Sequence, residues 1–442
     1  MSTPHRKNLH INPLKKSSVL GATLAILGID KAMAVHHGSQ GCTAFTKNIL
    51  TQHFREITPM QTTALSDIAT IMGDNSNLEQ GLNTVIEKNK PRLIGLVSTG
   101  ISETKGDDLA GGIKRFYEKY PQHQSVKIVP ISTPDFQGDA QWGYTRAIQT
   151  LLEEIPLGSG PVNPRRINLL PGMGMTPGDV QELGEIVEDF GLEPTILPDL
   201  GSTLGGSTDR YYQIPQGDHG LEQISQMSCS AHTIAIGHSM ENCARVLEQR
   251  CGTPWTRLET LTGVRATDRL MMELSRLSHR DVPQRYSRQR RQLLDAMLDS
   301  HFNFGGRKLG LAAEPDLLCS LVTLCRDELG MEVASAVTTS HCPVLAQMQI
   351  PGLCVGDLGD LEDQSSTADL LIANSNGRLA AQRIGVPLYP VGYPVKDLLG
   401  APQQCFIGYR GTRQMVYDLG NILLHRDETA SFTYKNFQGV LA

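Results

Sequence analysis

The sequence predicts an α/β protein of three consecutive units, each a parallel sheet covered by helices on both faces. Three observations carry that expectation. Strand-like and helix-like stretches alternate along the whole chain, the pattern of parallel strands joined by helical crossovers. At 442 residues the chain exceeds the size at which one hydrophobic core usually stops growing, so two or three domains are expected. The stretch Pro156-Leu157-Gly158-Ser159-Gly160-Pro161 breaks both periodicities and reads as a linker. The expected units are Rossmann-like and span 1–160, 161–305 and 306–442.

In the first unit, strands over 93–99 and 126–131 alternate with helices over 77–88 and 141–154. The second opens with a strand at 167–170. It runs into a helix for which Thr176 is the N-cap, Pro177 the first helical position and Asp179 a first-turn acid. A strand at 232–236 and a helix from Glu241 follow. The third unit begins with a strand at 308–313, continues with strands at 332–337 and 370–373, and ends in a helix. No residue-level repeat accompanies the repeated architecture.

Hydrophobic residues make up 40% and charged residues 19% of the chain, an ordinary globular composition with ample core. A formal net charge of −6 argues against nucleic acid or an anionic membrane as partner. The first ten residues are polar and basic, unlike a signal peptide or membrane anchor. The longest apolar-leaning run, 19–29, is too short to span a bilayer and is interrupted by Thr23 and glycines. Nine cysteines without a secretory leader point to a reducing cytoplasm rather than a disulfide framework. Cys229, Cys243, Cys251, Cys319, Cys325, Cys342, Cys354 and Cys405 lack zinc-ribbon or ferredoxin spacing and read as packing residues.

Cys42 stands apart. The segment His37-Gly38-Ser39-Gln40-Gly41-Cys42 follows a short strand at 31–35 and precedes Phe45, Ile49, Leu50 and Phe54, which recur at helical spacing. This puts a thiol in the first turn of a helix, where unpaired N–H groups and the helix dipole favour a thiolate. Gly38 and Gly41 allow a tight turn there. Core packing is the other reading, since free cysteine is among the most buried residue types.

Four further features each have two readings. Gly172-Met173-Gly174 ahead of Thr176 suits a tight βα turn or, with part of a dinucleotide fingerprint, a phosphate site. His36 and His37 suit hydrogen-bonded structural roles or proton transfer. Arg285, Arg288, Arg290 and Arg291 form a positive run that suits a solvated or interface face, or an anion site. Asp135 in Thr133-Pro134-Asp135-Phe136 suits a cap or turn, or a place near a cofactor. No G-x-x-x-x-G-K-[ST] motif occurs, so nucleotide hydrolysis would belong to a partner.

A series of short words extends nearly end to end: Asn12-Pro13-Leu14-Lys15, Leu20-Gly21-Ala22, the segment ending at Cys42, His53-Phe54-Arg55-Glu56, Gln61-Thr62-Thr63-Ala64, Thr176-Pro177-Gly178-Asp179, Arg288-Gln289-Arg290, Asp295-Ala296-Met297-Leu298-Asp299 and Gly408-Tyr409-Arg410-Gly411. In this order the chain resembles the nitrogenase component 1 family, and within it the NifN-type subunits of the NifE–NifN scaffold. The resemblance implies the nitrogenase component 1 architecture. It also aligns three cysteines that hold half of an eight-iron cluster in the catalytic β subunit with Ser17, Cys42 and Gly100. A hydroxyl and a glycine replace two of the thiolates, which leaves Cys42 as the implied iron–sulfur ligand.

The implied function is that of an assembly scaffold for the iron–molybdenum cofactor. The resemblance implies a [4Fe-4S] cluster shared with a NifE-type chain, which gives three cysteines to one from this chain, in a heterotetramer of two pairs. It implies a cofactor precursor held mainly by the partner, and no catalytic residue here. Implied partners are a NifB-type precursor donor, the nitrogenase iron protein with ATP, and apo-nitrogenase as acceptor. The alternatives are a VnfN-type subunit of the vanadium system, a reductase subunit of a nitrogenase-like enzyme, and a metal-free ligand-binding module.

Overall fold

The computed structural model describes residues 13–65, 76–206 and 213–438. The leader reading of residues 1–10, and Asn12, fall outside these.

Three separate parallel sheets follow one another along the chain. The first contains β1 (Ala32–His37), β2 (Met60–Thr62), β3 (Leu93–Ser98) and β4 (Lys127–Ile131), in the order β2-β1-β3-β4. The second contains β5 (Asn163–Leu170), β6 (Glu193–Ile196), β7 (Ser230–Ile236) and β8 (Trp255–Leu258), in the order β6-β5-β7-β8. The third contains β9 (Lys308–Ala313), β10 (Glu332–Thr338), β11 (Leu353–Val355), β12 (Leu370–Ala373) and β13 (Leu388–Pro390), in the order β11-β10-β9-β12-β13. Every residue of β1, β3 and β12 is buried, as expected of parallel strands covered on both faces.

The helix Ser18–Leu27 buries all ten of its residues, consistent with a sequence apolar on every side. It crosses the Ala140–Glu154 helix with the two backbones in contact. A Cβ on Gly21 would lie 1.7 Å from the Ala140 carbonyl oxygen, and one on Gly143 would lie 1.9 Å from that of Ser18. These helices share a core with Leu170, Met173, Leu197 and Met240 of the second unit. A second core runs without a break from β5 and β7 to β9 and β12. The terminal helix Gly408–Gln438 also contributes Met415, Val416, Leu419 and Leu423 to that core, beside Leu293 and Phe304 of the Gln284–Phe304 helix. Residues 156–161 are free of helix and strand. Among the described residues no helix is long and apolar enough to cross a membrane.

In the helix after β1, Gln40–His53, the apolar spacing holds for Ile49, Leu50 and the following Phe54 but not for Phe45. The buried positions of the helix are Thr43, Thr46, Leu50 and His53, whereas Phe45 is 75% exposed. The helix turns a threonine-rich face to the sheet because His36 of β1 needs Thr43 as a hydrogen-bond partner.

Candidate functional site

Open α/β sheets bind ligands outside the carboxyl ends of their strands, where the strand order reverses. In the first sheet that point lies between β1 and β3, since the chain goes from β1 to β2 on one side and then to β3 on the other. Gly38 leaves β1 and passes so close to Thr99, after β3, that a Cβ would fall 2.1 Å from the Thr99 hydroxyl. Thr99 Oγ1 donates to the His37 carbonyl at 3.0 Å and ties the two loops together.

Cys42 is the third residue of its helix, half-buried, with Sγ 3.7 Å from Ser39 Oγ. Gly100 is the first residue of the helix Gly100–Lys105, and a Cβ there would meet nothing within 4 Å. Ser17 caps the Ser18–Leu27 helix, accepting from Val19 N at 3.1 Å while donating to Asp135 Oδ1 at 2.7 Å. The same Asp135 oxygen accepts from Ser18 N at 3.1 Å and Ser18 Oγ at 2.9 Å. The cap reading of Asp135 therefore holds, across 117 residues of sequence. Behind it, Thr133 N donates to Ser98 Oγ at 2.8 Å, and both Ser98 and Ser132 hydroxyls donate to Glu103.

Three helices thus present their N-termini at the carboxyl edge of one sheet, an arrangement that favours negative charge in front of them. Phe136, 74% exposed, follows Asp135, and Phe45 lies one turn beyond Cys42. The site contains one thiol, one engaged hydroxyl and one position with no side chain. The sequence missed the serine and glutamate network beneath it; only the spacing of Ser98, Glu103 and Ser132 at strand ends hinted at it.

Both histidines of β1 are buried and hydrogen-bonded at both ring nitrogens. His36 is held between Thr23 Oγ1 at 2.8 Å and Thr43 Oγ1 at 3.0 Å, and burial pushes its pKa down to about 4. His37 contacts Thr63 Oγ1 at 3.1 Å and Asp107 Oδ2 at 3.2 Å; burial lowers its pKa while Asp107 opposes the shift. Asp107 also pairs with Lys105 at 3.0 Å.

The corresponding crevice of the second sheet, a cavity of about 630 Å³, is entered by a carboxylate of the third unit. Asp316, from the first turn of the helix Pro315–Val322, accepts from His238 N and Ser239 N, each at 3.1 Å, and from Ser239 Oγ at 2.5 Å. Gly237 at φ +93° leaves room for this carboxylate, since a Cβ would come within 2.4 Å of Asp316 Oδ2. Leu317 covers Gly174, so the phosphate reading of Gly172-Met173-Gly174 gives way to a βα turn. Thr176 and Asp179 cap the next helix reciprocally. The arginine run is divided: Arg290 grips Asp268 with two nitrogens, Arg285 pairs with Asp189, and Arg288 and Arg291 face solvent. Cys243, Cys319 and Cys325 are buried, and the remaining five outside Cys42 are half-buried.

Residues 17–424 match the family model described as nitrogenase component 1 type oxidoreductase. The chain belongs to the nitrogenase component 1 family. Among family members, the chain is 42% identical over 432 residues to a Nostoc protein named nitrogenase iron-molybdenum cofactor biosynthesis protein NifN, covering 98% of this chain and 96% of that one. A protein of the same name from Rippkaea orientalis is 43% identical, with 95% of each chain covered. The Klebsiella pneumoniae protein of that name is 37% identical over 95% of this chain and 92% of that one. A solved structure of nitrogenase Cp1 at pH 6.5 superposes with a TM-score of 0.91 at 29% identity, covering 97% of this chain and 96% of that chain. This nitrogenase component 1 architecture comprises the three helix-flanked parallel sheets described above.

Proposed function

We propose that the chain is a scaffold subunit on which the nitrogenase iron–molybdenum cofactor is assembled, paired with a NifE-type chain through the open crevice of its first sheet. The observation that carries this reading is the donor set at that crevice. Cys42 offers one half-buried sulfur, Ser17 spends its hydroxyl on Asp135 and Val19, and Gly100 offers no ligand. One thiolate is too few for a cubane, which takes four cysteines, and it fits a [4Fe-4S] cluster completed by three thiolates from the partner. The same count argues against a nitrogenase β subunit. When bound, such a cluster supplies one-electron transfer. Cys42 would hold one iron of such a cluster, and the helix N-termini beside it would face the cluster's negative charge.

The NifN names of the full-length relatives support the assignment to the molybdenum system over a VnfN-type counterpart. In this reading two pairs form a heterotetramer in the cytoplasm. The complex takes its precursor from a NifB-type donor, works with the iron protein and ATP, and delivers to apo-nitrogenase.

The test is Cys42→Ala, co-purified with the partner. The variant complex is expected to keep its subunits and lose the interface cluster, seen as a fall of about four irons per pair and loss of its EPR signal. Unchanged iron and an unchanged signal would overturn the assignment.

A further inference from the structure

The cavity of about 630 Å³ lies where the second unit meets the third. It opens at the carboxyl edge of the second sheet between β5 and β7, the point at which that sheet reverses its strand order. The second unit contributes Met175, Ile236 and Leu261 to its wall, and the third contributes Leu321, Leu324 and Met415. All six are buried. Leu324 belongs to the π-helical turn Thr323–Glu328 that continues the Pro315–Val322 helix, a wide coil that recurs at functional sites. Close-packed interiors rarely leave space of this size unfilled. Polar groups gather at the mouth, where Glu259, Thr260 and Ser320 are half-buried. Ser320 Oγ and Thr260 Oγ1 lie 2.7 Å apart, and Thr260 Oγ1 also accepts from Thr262 N at 3.1 Å. Whichever hydroxyl donates to the other, one hydroxyl hydrogen and a lone pair of Ser320 stay available at the mouth.

Three carboxylates border the cavity, and each is already engaged within the chain. Asp316 holds the His238 and Ser239 amides, and Asp179 accepts from Phe406 N at 2.6 Å and Ile407 N at 3.2 Å. Glu259 meets Arg257 at 3.3 Å and Arg269 at 3.6 Å. A ligand anion would add like charge beside these groups, and a ligand cation would find no carboxylate unengaged. We propose that the cavity is a binding site for an uncharged, largely apolar small molecule that carries a hydroxyl group. Its apolar body lies among Met175, Leu321 and Leu324, and its hydroxyl reaches the Thr260–Ser320 pair. An apolar lining with a few convergent polar groups is what small-molecule sites share, and the two methionines let the wall adapt to the ligand's shape. Such a molecule touches both units at once and holds the Pro315–Val322 helix against the second sheet. The site is separate from the Cys42 crevice and independent of any cluster bound there.

The experiment uses the full chain co-purified with its partner. Equilibrium dialysis against 1-naphthol, read by its fluorescence, should show saturable binding with a dissociation constant on the order of 0.1 mM, the affinity usual for so small a probe. Its anionic counterpart 1-naphthoate should bind at least about tenfold more weakly. Ser320→Ala should weaken 1-naphthol about fivefold, the worth of one neutral hydrogen bond, and leave the binding of naphthalene unchanged. Leu321→Trp, which fills the cavity, should abolish the binding of both. Crystals of the complex soaked in 4-bromo-1-naphthol should show a bromine anomalous peak between Met175 and Leu324. The proposal is overturned by 1-naphthoate binding as tightly as 1-naphthol, by no binding of 1-naphthol at about 1 mM, or by a bromine peak only outside the cavity. The wild-type dialysis and the soaked crystal decide the matter even if a variant misfolds.

Discussion

Glu314 follows β9 and is fully buried, its Oε1 meeting no hydrogen-bond donor. Burial, with a smaller push from Asp139, raises its pKa from 4.5 to about 7. A carboxyl whose folded pKa lies above its unfolded value stabilises the fold fully below about pH 4.5 and loses that contribution as pH rises through about 7. Glu314→Gln removes the titration. The variant should therefore gain on the wild type between pH 5 and pH 8, by on the order of 2–3 kcal/mol. Urea unfolding of the complex at both pH values checks this; an equal gap at the two would contradict it. Of such residue-level detail, the place of Cys42 in the first turn of a helix was legible, because a thiol after two glycines at a strand end has few arrangements open to it. Asp316 and the Asp135 cap were illegible, since each carboxylate serves a partner more than 70 residues distant.

Elements were easier to read than their facing. Strands over 308–313 and 370–373 were recoverable to the residue, as short apolar runs bounded by breakers in an alternating chain. The helix after β1 had the expected position, with Leu50 and Phe54 in the core and Ile49 packed on it, and only Phe45 departs from the apolar spacing; periodicity cannot weigh the threonine that serves a buried histidine. The crossing of Ser18–Leu27 on Ala140–Glu154 was also hidden, since Gly143 within a helix looks like a weak helix former. Its absent side chain is instead the contact. Gly143→Ala should force the helices apart and cost about 3 kcal/mol or more, as overpacking at rigid backbone does. A melting temperature within a degree or so of the wild type would refute that.

At the scale of the molecule, His53 joins the first unit to the third. Its Nδ1 accepts the Val395 N–H at 2.9 Å, so Nε2 carries the proton, and burial holds the ring's pKa down at about 4. A buried neutral histidine is protonated first in the unfolded chain, so its contribution is intact above about pH 6.5 and is lost as pH falls toward 4. His53→Phe should be less stable than the wild type at pH 7.5, by about 1–2 kcal/mol for the stranded amide. That deficit should shrink by pH 5; a deficit that grows on acidification would count against it. The surface makes a second demand. Leu294, Leu298 and Phe302 form an exposed stripe on one helix, Phe302 at 85%, in addition to Phe45 and Phe136. Made without its partner, the chain should self-associate and hold no stable four-iron cluster. Light scattering and iron analysis would show this, and a monodisperse monomer with four irons would contradict it.

The carboxylate of Asp316 can be regarded as a tethered competitor. A carboxylate carried on the same chain already holds the His238 and Ser239 amides, so a free anion meets an intramolecular competitor there. Phosphate, nucleotide or sulfate from solution would have to displace it and strand a buried charge. At the carboxyl edge of the second sheet the two amides that a small anion would seek are thus already taken by the chain's own carboxylate.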